Sequence, residues 1–277
     1  MLALLWASAY QARAQDEVPF ITTPDAVTVA MLQMAQVKVG DFVIDLGSGD
    51  GRIVITAAKR FGARGLGVEI VPDLVAQSQR NAVLAGVAAR TEFKVQDLFD
   101  TDLRAAQVVT MYLLPEFNLQ LRPRLLALAP GTRIVSHDWD MGEWVPDRRQ
   151  TLAVPEKTIG QDKRSSVYLW VVPAQVHGLW CTAGATLNIT QRFQAFSAAL
   201  NSTEAAPTAV PLAVFDGRIN GAVVHAGTEL AGARFVLRWS AGALLMERAD
   251  GSAVLLGGQQ FQRAGSAGCA DRTVTGR

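Results

Sequence analysis

The stretch Asp45-Leu46-Gly47-Ser48-Gly49-Asp50-Gly51-Arg52 constrains this chain most, because it joins an apolar run from Asp41 to Leu46 to a segment of helical spacing from Arg52 to Phe61. A strand that ends in closely spaced glycines and passes straight into a helix belongs to a βαβ unit. Its turn suits a nucleotide, since glycine lets the backbone approach a ligand and a helix N-terminus presents free N–H groups. The spacing narrows the choice. Gly47, Gly49 and Gly51 alternate, and Arg52 stands where the dinucleotide fingerprint G-x-G-x-x-G needs its last glycine. A triphosphate loop would need Gly-Lys-Ser/Thr, which is missing here.

The surrounding pattern extends the unit. Thr23-Pro24 predicts a helix start with a capping residue and a proline at the first position. Strands are expected over Asp41 to Leu46, Gly65 to Ile70, Thr91 to Gln96, Gln107 to Tyr112 and Thr132 to His137. Helices are expected over Arg52 to Phe61, Pro72 to Ala85 and Pro115 to Leu128, the last interrupted at Pro123. Arg149 to Val154 and Ser166 to Val172, with a polar turn at Gly160 to Arg164, suit an antiparallel hairpin that finishes the sheet. The fold class is therefore α/β, a Rossmann-like sheet of mostly parallel strands with helices on both faces.

From Gln175 the helical period disappears. Short strand candidates (Ala185 to Phe193, Pro211 to Phe215, Ala222 to His225, Ala233 to Trp239, Ala243 to Glu247, Ser252 to Gln260) are separated by turn signals such as Asp216-Gly217 and Asp250-Gly251. This reads as a second, smaller all-β domain, a sandwich or open barrel, serving as structural cap or substrate-recognition unit. The expected division is 1–19 lead-in, 20–174 sheet domain, 175–265 β domain and 266–277 tail.

Asp45-x-Gly47-x-Gly49-x-Gly51 at a strand end resembles the signature of class I S-adenosylmethionine (SAM)-dependent methyltransferases. That cofactor carries an ammonium, a sulfonium and a ribose diol, so carboxylates matter more than a helix dipole. The resemblance implies Asp45 beside the methionyl ammonium, Glu69 on the ribose hydroxyls and Asp97 at the adenine amino group. All three acids stand at or just past successive strand ends, where open parallel sheets bind ligands. The runs GSGDGRIVITAAKR, VVTMYLLPEFNLQLRPRLL and SHDWDMGEW, with the lead-in Phe20-Ile21-Thr22-Thr23-Pro24, narrow the likeness to the ATP synthase c-subunit lysine methyltransferases and their bacterial relatives. The likeness covers residues 20 to 172 and implies a seven-stranded sheet, a SAM pocket that includes Thr23, and protein lysine, or a small amine, as methyl acceptor.

Tyr112 and Glu116, around the end of the fourth strand, are the candidates for lining the acceptor site, with core tyrosine and first-turn helix residue as the plainer alternatives. Trp139 and Trp144 are candidates for the cleft wall. His137, Asp138 and Asp140 raise a rival chemistry, since such a cluster could hold Mg²⁺ in a small-molecule O-methyltransferase; alternating directions along an extended segment argue against it, and no metal is assigned. A third reading is a non-catalytic SAM-binding module that contacts an envelope partner.

With Lys+Arg 26 against Asp+Glu 25, a net charge of +1 and no basic run, nucleic acid is set aside as a partner. Leu2 to Tyr10 followed by Ala12-Arg13-Ala14 resembles a secretory signal without its basic start. Export to the periplasm or beyond is expected if that signal operates, and a cytoplasmic location otherwise. Cys181 and Cys269 form one disulfide in an oxidising compartment or remain two buried thiols.

Overall fold

A computed structural model describes residues 21–157, 162–203, 210–227, 234–266 and 268–269. The signal-like stretch lies outside them. The first unit runs α1 (Asp25–Met34), β1 (Phe42–Leu46), α2 (Arg52–Phe61), β2 (Arg64–Glu69), α3 (Pro72–Leu84), β3 (Thr91–Val95), β4 (Val108–Met111), α4 (Pro115–Leu126), β5 (Arg133–His137), β6 (Arg148–Ala153) and β7 (Arg164–Val171). Its seven strands lie in the order β3-β2-β1-β4-β5-β7-β6, parallel except for β7, which runs antiparallel to β5 and to β6. This is the mixed Rossmann-like sheet expected from the sequence.

Alternation along the strands divides the core into two layers. Val43, Val108, Val135, Val167 and Leu169 face α1 and α2 and pack on Val27, Met31, Leu32, Ile53 and Ala57. Ile44, Leu46, Val109, Met111, Ile134 and Trp170 face the other way, onto Leu121 and Leu125 of α4. Asp45 and Thr110 continue the first row at the strand ends, so a polar pair caps an apolar face.

Two helix details differ from expectation. Thr23 makes no side-chain cap on α1; Pro24 is the N-cap and Thr23 bonds elsewhere. Helix α4 continues through Pro123. A proline there forfeits one N–H bond, and buried Leu121 and Leu125 on either side of it hold the helix to the sheet.

The second unit comprises β8 (Gly178–Thr182), β9 (Ala185–Arg192), β10 (Ala195–Ser202), β11 (Ala213–Asn220), β12 (Val223–Gly227), β13 (Arg234–Ser240), β14 (Ala243–Ala249) and β15 (Gln260–Arg263). Every neighbouring pair is antiparallel, and the pairing of β15 with β8 closes an eight-stranded barrel. The sheet therefore closes, where a sandwich or open barrel was expected, and closure removes the exposed edges. Its interior is filled by Trp180, Phe215, Phe235, Phe261, Leu187 and Ile189. The segment 252–260, expected as a strand, is mainly a 3-10 helix over Gly251–Leu256. Asp216-Gly217 is no turn but lies inside β11, where a Cβ on Gly217 would stand 2.1 Å from the His225 carbonyl oxygen.

Cys181 and Cys269 are joined, closing a loop of 88 residues in sequence separation. The barrel rests on the segment after β5: Gln194 Nε2 donates to Val145 O at 2.6 Å, Arg218 pairs with Asp147 at 2.7 Å, and the Phe193 ring stacks on Trp144.

Candidate active site

The glycine loop folds as its sequence demands. Gly47, Gly49 and Gly51 all have positive φ, and a Cβ on Gly51 (φ 81°) would stand 2.7 Å from Ser78 Cβ and 2.8 Å from the Phe93 ring. Gly51 N-caps α2 directly, which aims the helix start at the loop. Asp45 behind the loop is 2 % exposed, and Thr110 Oγ1 donates to its Oδ1 at 2.7 Å. No cationic side chain pairs with it among the described residues. Burial therefore pushes the carboxyl up to about 8, the Thr110 bond opposing and Asp50 and Glu69 adding to the shift. A cation placed against this carboxyl would return it to its charged form.

Glu69, at the end of β2, is nearly buried. Its Oε2 accepts from Gly49 N at 3.0 Å, and its Oε1 accepts from Ile70 N and Val71 N. These bonds fix the carboxylate against the loop and leave acceptor capacity for a diol. Asp97 is exposed at the turn after β3, and its Oδ1 caps that turn by accepting from Phe99 N at 2.8 Å. The carboxylates and glycines suit SAM's ammonium, ribose and close backbone approach.

A cleft of about 300 Å³ opens at the carboxyl ends of β4 and β5 and the start of α2, lined by residues that include Thr22, Asp25, Arg52, Tyr112, His137 and Lys157. Arg52 grips Asp50 in a fork (2.9 and 2.6 Å) and donates to Thr23 O at 2.9 Å, tying the lead-in of α1 to the loop. The buried Thr23 hydroxyl lies 3.3 Å from His137 Nδ1, while His137 Nε2 lies 2.9 Å from Ser165 Oγ. The Tyr112 ring packs on the imidazole with centroids 4.0 Å apart. Desolvation lowers the His137 pKa to about 4, Asp138 opposing and Lys157 reinforcing the shift, so the ring is neutral at pH 7. Burial, then Asp138, raises the Tyr112 pKa and keeps it a phenol.

Asp138 follows at φ 61°, a left-handed conformation that aspartate tolerates better than most residues. Its Oδ1 accepts from Ser166 N at 2.9 Å, and its Oδ2 receives Lys157 Nζ at 2.6 Å. Lys157 also donates to Arg164 O at 2.7 Å.

The structure thus brings Tyr112 and Thr23 to one place and leaves Glu116 out: Glu116 is exposed in the first turn of α4 and does not line the cleft. Neither Trp139 nor Trp144 walls it. Trp139 is 42 % exposed, and Trp144 is buried between Trp170 and Phe193. The His137-Asp138-Asp140 cluster does not converge either, for Asp140 turns to Gly142 N while Asp138 serves Lys157 and Ser166. Among the described residues no group of three metal-ligating side chains forms. Sequence reasoning overlooked Arg52, which lies within the quoted glycine motif, and Lys157, which local sequence does not mark.

Fold and site together define a class I SAM-dependent methyltransferase. The profile of the ANTKMT methyltransferase domain matches residues 45–148. A protein-lysine N-methyltransferase of Saccharolobus islandicus is 39% identical over 157 residues, which is 56% of this chain and 94% of that protein. The ATP synthase c-subunit lysine N-methyltransferase of Xenopus laevis is 34% identical over 131 residues, 47% of this chain; the chain spans 57% of that enzyme's length. A solved structure from Salinibacter ruber, described as an RNA methyltransferase in complex with S-adenosyl-L-homocysteine, is 49% identical over 56% of this chain and 96% of its own, with a TM-score of 0.51. The chain belongs to the protein-lysine N-methyltransferase family of SAM-dependent enzymes, and SAM is its cofactor.

Proposed function

We propose that the enzyme moves the SAM methyl group to the ε-amine of a lysine in a protein. One observation carries the reading: the cleft beside the cofactor loop already receives a lysine ammonium, that of Lys157, on the Asp138 carboxylate next to Tyr112 and neutral His137. SAM supplies an electrophilic methyl, and the chain's own work is to position and to desolvate. Asp45 and Glu69 would hold the ammonium and ribose. Tyr112 and His137 form a largely buried wall that aligns an amine and limits water, with the Thr23 hydroxyl holding the imidazole from behind. The neutral imidazole cannot repel an incoming ammonium.

RNA as acceptor is named for the Salinibacter relative, but here both cations of the cleft are neutralised within the chain, Arg52 by Asp50 and Lys157 by Asp138. A host lysate labelled with tritiated SAM tests the choice. Label that protease releases and nuclease leaves, with EDTA having no effect, supports protein lysine; nuclease-sensitive label contradicts it, and EDTA-sensitive transfer to a small hydroxyl compound favours the metal-assisted alternative. For location, the Cys181–Cys269 bond supports an oxidising compartment; finding both thiols free in protein from its native host would count against it.

A further inference from the structure

We propose that the enzyme methylates itself at Lys157. The inference rests on the lysine reading above and deepens it, since it makes a residue of this chain a substrate of the same site.

The chain has five lysines, Lys38, Lys59, Lys94, Lys157 and Lys163, and only Lys157 lines the cleft. It stands just past the end of β6, where the hairpin folds back over the carboxyl ends of β4 and β5. Its ammonium is as a bound acceptor's should be. One carboxylate oxygen, Asp138 Oδ2, lies at 2.6 Å and one carbonyl, Arg164 O, at 2.7 Å, and the side chain is only 15% exposed. Tyr112 and His137 line the same cleft, just past the end of β4 and at the end of β5, the two strands that follow β1 and Asp45 across the sheet. An ion pair chosen only to fasten the hairpin could have formed anywhere along it, and Ser166 N already ties Asp138 to β7 at 2.9 Å.

The step balances without any further reactant. Nζ gives one proton to Asp138 Oδ2 and thence to water, its lone pair forms the new C–N bond, and the methyl–sulfonium bond breaks with its electrons remaining on sulfur. S-adenosylhomocysteine leaves. A monomethyl or dimethyl ammonium still has an N–H for Asp138, whereas a trimethyl ammonium has none and loses both hydrogen bonds.

The test uses the full-length protein, incubated with trideuteromethyl SAM and digested for mass spectrometry, beside a host lysate labelled by the same preparation. The expected result is label on Lys157 alone, at a fractional rate that does not change on dilution, because acceptor and site share one chain. Lys157→Arg keeps the charge and is expected to lose the label while still binding SAM. Lysate lysines labelled with Lys157 bare would overturn self-methylation and leave the proposed function standing. Label on another of the five lysines, or a fractional rate that falls in proportion to dilution, would overturn it too. No labelled lysine anywhere would overturn both readings together.

Discussion

With SAM's ammonium on Asp45, as proposed, Asp45→Asn removes the charge that meets it while keeping the side chain's shape and a partner for Thr110. In the free protein the Asp45 carboxyl titrates near 8, so at pH 7 about nine molecules in ten hold the proton. Binding SAM's ammonium against a carboxylate requires that proton to leave, which costs about 1.4 kcal/mol at pH 7 and that much more for each pH unit below. Wild-type affinity for SAM should therefore rise about tenfold per unit between pH 6 and 7.5, and calorimetry in buffers of different ionisation heat should show about 0.9 proton released at pH 7. The Asn variant should show neither trend, and it should bind about 10- to 100-fold more weakly at pH 7.5, the loss expected for one charge-assisted hydrogen bond. The free protein reports the same group. A raised carboxyl pKa means the folded state holds an extra proton between about pH 4 and 8, so stability is fully present below that window and falls by about 1.4 kcal/mol per unit as pH rises through it, a slope absent in the variant. Wild-type affinity that is flat from pH 6 to 7.5, or a variant that binds as tightly as wild type, would refute the reasoning.

Gly51→Ala should cost about 2–4 kcal/mol in denaturant unfolding, because the added Cβ meets Ser78 and Phe93 in a left-handed backbone; an unchanged midpoint would show the loop is slack. The His137 ring should stay neutral down to about pH 4 by NMR. Its pKa is depressed on folding, so the stability it contributes is present above about pH 6.5 and lost as pH falls toward 4, and an imidazole that titrates near 6.5 would contradict its burial. Cys181→Ser should lower barrel stability by up to about 4.6 kcal/mol, the chain-entropy value for a loop this long, and leave the sheet unit's unfolding unchanged; thermal melts followed by intrinsic fluorescence check it.

The sheet was legible because its signals are local: glycine loop, strand run and helix period all lie within Asp41 to Phe61, and the structure keeps α2 at the expected residues. Asp45 lies in that same stretch, and the structure buries it and Glu69 beside the loop while leaving Asp97 exposed. What escaped depends on pairing over distance. Thr23 has the sequence of a helix cap, yet its hydroxyl turns to His137, 114 residues away. Glu116 looks catalytic beside Tyr112, but the turn into α4 sends its side chain to solvent. The strand β10 was missed because Ala195-Phe196-Ser197-Ala198-Ala199-Leu200 is rich in alanine, a weak strand former, and is held by pairing with β9 and β11. Asp216-Gly217 mimics a turn, whereas the glycine is there to clear the Phe196 ring and the neighbouring strand. Lys157 reaches Asp138 only once the hairpin has folded back, so no spacing along the chain could reveal it.

Complete acid hydrolysis of protein labelled by this enzyme with tritiated SAM, followed by chromatography of the amino acids, tests the central claim most directly. The account predicts that the radioactivity runs with Nε-methylated lysines, and that Asp45→Ala abolishes it. Radioactivity that runs with methylated nucleosides, or with any amino acid other than lysine, would contradict it.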